Sequence, residues 1–133
     1  MTAPRSLPGP RNLAVLRILA VLGAAAAALA VWAVVHVLAG VELASTSGEV
    51  TAASVIVAAL VAGLAGWGLL AVLERVTERP RAIWTWIAAV FLVLSLAGPL
   101  TMGTTGAAKA SLAALHVVTA AVLIVLLPRR RTR

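Results

Sequence analysis

Four long apolar runs leave this chain few folds to choose from. The first extends from Leu13 to Val41 and is interrupted only by Arg17 and His36; the others cover 50–73, 82–100 and 110–127. About twenty apolar residues of helix cross the hydrocarbon core of a bilayer, so each run is a full span. The connections "ELASTSGE" (42–49), "ERVTERPR" (74–81) and "TMGTTGAAK" (101–109) are too short to hold another domain. The expected fold is therefore an all-α membrane protein, an antiparallel four-transmembrane-helix bundle over 13–127. A disordered tail at 1–12, rich in proline, and a basic tail at 128–133 flank it.

Composition supports lipid as the solvent. Of 133 residues, 62% are hydrophobic and 11% charged, whereas a soluble domain carries about a quarter charged residues to cover its surface. Cysteine is absent, which removes disulfides, thiolate metal sites and cysteine nucleophiles together. The net charge of +7 does not point to nucleic acid, because the basic residues sit at the ends of apolar runs and no aromatic stacking platform accompanies them. They read as topology instead. With the N-terminus inside, the inner segments hold all ten arginines, and the outer ones hold Lys109 beside Glu42 and Glu49. That bias places both termini in the cytoplasm. A residue usage rich in Ala, Val, Leu, Gly and Arg suggests a bacterium with a GC-rich genome, and hence a multi-pass protein of a bacterial cytoplasmic membrane. The first run exceeds the apolar core of a cleavable signal, so removal is not expected.

Inside lipid, helices associate where small residues let backbones approach. The second span carries Ser54, Ala58, Ala62 and Gly66 on one row and Ala59 and Gly63 beside it. Ala58, Ala62, Gly63 and Gly66 are the expected packing residues, with the second span at the centre of the bundle. The first span offers Ala20, Ala24 and Ala28. Trp84 and Trp86 follow Arg81 at the depth of the inner headgroups, where an indole is favoured.

The polar residues within the spans form a second pattern. In "SLAGPL" (95–100), Pro99 has no amide hydrogen, so the Ser95 carbonyl loses its helical partner. Gly98 removes a side chain at the same level. At 1.5 Å of rise per residue, His36, Ser54, Ser95 and His116 lie roughly 6–9 Å from the outer ends of their spans, with Thr119 one turn deeper than His116. This polar layer of His36, Ser54, Ser95, His116 and Thr119 has two readings. Such groups act as hydrogen-bond glue between helices, or they mark a ligand or proton site. The His116 imidazole is the expected donor to the freed Ser95 carbonyl.

The segments "VVHVLAG" (34–40), "LSLAGPL" (94–100) and "LAALHVVTAAVLI" (112–124) resemble the corresponding parts of an actinobacterial four-span membrane family of unknown function. The resemblance implies the same topology and the same histidine and Gly-Pro positions, and brings no activity, substrate or cofactor. Among function classes, proton-coupled multidrug exchange lacks its carboxylate, because the middle of the first span is "GAAAAALA" (23–30). A fluoride-type channel lacks its Asn, Thr and aromatic lining. Hydrolysis by Ser95 and His116 lacks an acid to orient the imidazole. The expected function is a non-catalytic structural or accessory four-helix module, with no catalytic residues and no cofactor. Its expected partners are the lipid bilayer and a second copy or another membrane protein. The alternative is a haem- or metal-binding redox module with His36 and His116 as ligands.

Overall fold

The computed structural model describes residues 9–128. Of the expected tails, 1–8 and 129–133 lie outside the described residues, while Pro10, Arg11 and Asn12 belong to the first helix. That helix, α1 (Pro10–Ala33), opens on a proline, whose missing N–H removes no helical bond in the first turn. It continues through a π-helical turn, Val34–Leu38. A short hairpin follows, β1 (Ala44–Ser45) with β2 (Gly48–Glu49). Then come α2 (Ala52–Val76), α3 (Pro80–Ser95), α4 (Ala97–Met102) and α5 (Gly106–Leu126). Thr51 and Thr105 cap α2 and α5, their hydroxyls accepting from the Ser54 and Ala108 amides at 3.1 and 3.0 Å, which satisfies amides the helix itself cannot.

Among the described residues, four helical spans are long and apolar enough to cross a membrane: Pro10–Leu38, Ala52–Val76, Pro80–Met102 and Gly106–Leu126. The protein is a multi-pass four-helix membrane bundle. The third span is α3 and α4 in succession, broken at Leu96. The break is confined, since the Leu96 amide still reaches the Leu92 carbonyl at 3.0 Å and the Leu100 amide reaches Leu96 at 3.2 Å.

The centre of the bundle is α1, not α2 as expected. Ala20, Val21, Ala24, Ala25 and Ala28 are all buried, and α1 packs against α2 on one side and α5 on the other. The reason is the run of small residues on two adjacent faces of α1, which admits a neighbour on each. Against it α2 presents Val55, Ala59, Gly63 and Leu70. Gly63 is required there, because a Cβ would lie 2.7 Å from Val21 Cγ1. Gly66 faces a looser contact, 3.4 Å from Leu127 and 3.5 Å from Trp84. Ala58 and Ala62, the other expected packing residues, are exposed instead.

The span α3 is the peripheral one. Its single buried residue, Trp84, is 3% exposed and packs in the core. Its indole Nε1 donates to the Gly66 carbonyl at 3.0 Å. Trp86 stays exposed. At the end of the bundle away from Thr77, the hairpin is stitched to the connection before α5. The Thr46 amide donates to the Met102 carbonyl at 2.9 Å, and Ser45 bridges Gly103. Gly103 must be glycine, since a Cβ would lie 2.8 Å from the Pro99 carbonyl oxygen.

Candidate functional site

Because α1 holds α2 and α5 while α3 touches them mainly through Trp84, the three helices α2, α3 and α5 do not close on one another. A cleft of about 620 Å³ remains between them. This is the range of small-molecule sites, about 300–1,000 Å³. Its walls are overwhelmingly apolar, from Val55 on α2 through Phe91 on α3 to Leu123 on α5. Ala58, Ala62 and Ala65 line it from α2 and Ile87 and Phe91 from α3, and all five are exposed. The cleft therefore opens sideways between α2 and α3, at the depth of the hydrocarbon. Thus the row Ser54, Ala58, Ala62 and Gly66 faces a cavity, while Val55, Ala59 and Gly63 on the adjacent face make the helix contact.

Four of the five polar-layer residues line this cleft: Ser54, Ser95, His116 and Thr119. Each is tied to its own helix. Ser54 Oγ donates to the Thr51 carbonyl at 2.7 Å, Ser95 Oγ to Leu92 at 2.8 Å and Thr119 Oγ1 to Leu115 at 2.7 Å. His116 Nδ1 lies 2.8 Å from the Leu112 carbonyl, one turn back on α5. The expected bond from His116 to the Ser95 carbonyl is thus replaced by a local one. A carbonyl one turn below is always within reach of a helical imidazole, whereas reaching Ser95 would require α3 and α5 to close across the cleft.

His36 is placed elsewhere. It sits in the π-helical turn with its ring stacked on Trp32, centroids 4.8 Å apart at 24°. Its Nδ1 lies 3.2 Å from the Val41 carbonyl, and the Trp32 indole donates to Val50 at 2.9 Å. The extra residue of the π turn shifts the helix phase at the point where the chain leaves the membrane. His36 and Trp32 thereby tie down the loop between α1 and α2, and His36 is not among the residues lining the cleft. The two imidazoles required by a bis-histidine redox site are engaged with different partners in different places. Among the described residues, no group of three or more His, Asp or Glu is disposed to hold a metal ion.

Sequence reasoning missed one pair altogether. Arg17, counted there among the cytoplasmic residues, is 5% exposed and forms an ion pair with Glu74 near the end of α2. Its Nε has no hydrogen-bond partner among the described residues. The signal was available: an arginine inside an apolar run needs an acid at its own depth, and α2 ends with one.

Comparison by sequence adds one finding. Residues 8–133 match a family described as "Family of unknown function (DUF6069)". The chain belongs to DUF6069. No curated protein and no solved structure matched it. Membership in DUF6069 therefore supplies no activity, and nothing in the comparisons points to catalysis or metal binding.

Proposed function

We propose that this DUF6069 member is a non-catalytic accessory module of a bacterial cytoplasmic membrane, with both termini inside, which holds a single apolar chain in the cleft between α2, α3 and α5. The observation that carries this reading is the shape and position of the cleft. Along α2 it runs from Ser54 to Leu69, about 22 Å at 1.5 Å per residue. A volume of about 620 Å³ spread over that length is a thin slot. An extended hydrocarbon chain matches a slot of that length with apolar walls. The lateral mouth between α2 and α3 opens where such chains are the solvent. Catalysis has no support from the same walls, because no acid stands beside Ser95 or His116 among the cleft residues.

The orientation rests on arginine. Arg11, Arg75, Arg79 and Arg81 cluster at the ends of the spans where α1 begins and α2 meets α3, and Lys109 is at the other end. This is the distribution that retains a segment in the cytoplasm.

The test is binding of a fluorescent single-chain polyene to purified protein in nanodiscs, read by energy transfer from tryptophan. Saturable binding is expected, and Ala62→Trp, which places an indole in the mouth, should abolish it. Non-saturable partitioning, or equal binding by the Ala62→Trp protein, would remove the reading.

A further inference from the structure

Hydrogens decide what the cleft will accept. A hydroxyl has one proton to give, and Ser54, Ser95 and Thr119 each direct theirs to a carbonyl of their own helix. Trp84, which also lines the cleft, gives its indole proton to Gly66. The backbone amides of the walls are engaged within the helices. His116 Nδ1 faces the Leu112 carbonyl oxygen, so the hydrogen-bond pattern assigns the ring proton to Nδ1. In the neutral imidazole the other nitrogen, Nε2, then carries a lone pair and no hydrogen. The polar part of an otherwise apolar cleft thus offers acceptors and no donor.

We infer that the guest of the cleft is a neutral hydrocarbon with a hydrogen-bond donor at one end, a long-chain or isoprenoid alcohol, whose hydroxyl donates a hydrogen bond to His116 Nε2. The inference rests on the reading of the cleft as a chain site and specifies its ligand. A donor is selected because each polar group left free in the wall is an acceptor. Ethers, esters and ketones bring only further acceptors, and in a water-poor cleft they leave His116 unpaired. A neutral head is selected because no carboxylate lines the cleft to balance an ammonium group, and no Lys or Arg lines it to balance a carboxylate. His116 is therefore a specificity-determining residue, and the apolar walls supply affinity without discrimination.

The experiment compares two probes on the same protein in nanodiscs: a polyene alcohol and the methyl ether of the same chain. The wild-type protein should bind the alcohol about tenfold more tightly than the ether, about 1.4 kcal/mol. In His116→Leu the ratio should fall to about one. A second readout needs no variant of His116. The ¹⁵N resonance of its Nε2 should shift on adding the alcohol and stay in place on adding the ether. Equal affinities in the wild-type protein, a ratio that survives His116→Leu, or an Nε2 resonance indifferent to the alcohol would each overturn the assignment. If the ether still binds in any of these cases, the chain site itself stands. If neither probe binds saturably, both readings fall.

Discussion

At the scale of single residues, the pairing of Arg17 with Glu74 takes a charge out of water. The guanidinium is removed from water on α1, and its Nε is without a partner among the described residues. Its compensation is one carboxylate on α2 that is itself 39% exposed. Removing one member of a fully buried pair costs about 3–5 kcal/mol, because the other charge is stranded. The exposure of Glu74 reduces this through solvent screening, so Glu74→Leu should destabilise by about 1–3 kcal/mol. Replacing both residues with leucine should recover most of that loss, since two apolar side chains need no partner. Denaturation in detergent across the double-mutant cycle measures the coupling. Losses that simply add would mean that the two charges do not stabilise each other.

At the scale of elements, the contact between α1 and α2 turns on one missing methyl group. A Cβ at Gly63 would stand 2.7 Å from Val21 Cγ1 and 3.0 Å from Cγ2. Valine branches at Cβ and has little rotamer freedom in a helix, so it cannot swing aside. Gly63→Ala should therefore lower stability by about 1–3 kcal/mol through overpacking, and Val21→Ala in the same chain should restore it. Gly66→Ala meets its nearest neighbours at ordinary contact distance and gains up to about 1 kcal/mol of helix propensity, so it should be neutral or stabilising. Equal thermal shifts for the two substitutions would show that the approach at Gly63 does not limit packing. The break in the third span is an element-scale feature of another kind. It separates α4, which caps the hairpin end of the bundle through Pro99 and Gly103, from α3, which borders the cleft. That cap and the cleft wall are thus joined at one residue, Leu96, instead of by a continuous helix.

At the scale of the whole molecule, α1 is a central post, α2 and α5 lean on it, and α3 stands off to leave a slot facing lipid. The two loops at one end are tied together by the hairpin at 44–49 and Gly103, while the loop around Thr77 at the other end carries Arg75, Arg79 and Arg81. Single cysteines at Ser47 and Thr104 in this cysteine-free chain should react with an impermeant thiol reagent in intact cells, and one at Thr77 should not. Labelling at Thr77 from outside would invert the arrangement. The outer loops should react more slowly than free coil. Their backbone amides are engaged, as Thr46 to Met102 and Thr104 to Ala44 at 2.9 and 3.3 Å show.

The number of spans and the antiparallel course were legible in the sequence, because the length of an apolar run and the shortness of a connection are local quantities that lipid converts directly into helices. A break in the third span was expected at Gly98 and Pro99, from the missing amide; the structure has it at Leu96, with both residues inside α4. Which helix stands at the centre was not legible. Small residues occur on α1 and α2 alike, and only the geometry shows that the paired stripes of α1 meet two neighbours while Ala58 and Ala62 of α2 face open space. The polar layer was half legible: depth follows from counting residues, so Ser54, Ser95, His116 and Thr119 could be placed at related levels. Direction around the helix depends on the neighbours, and the π turn rotates the end of α1 so that His36 joins Trp32 instead of the cleft. Arg17 was misplaced because position along a span does not reveal burial; that depended on Glu74, 57 residues away. Lipid determines what must be helical, and it does so residue by residue. Which faces meet is decided by contacts between residues far apart in sequence, and those exist only once the bundle has formed.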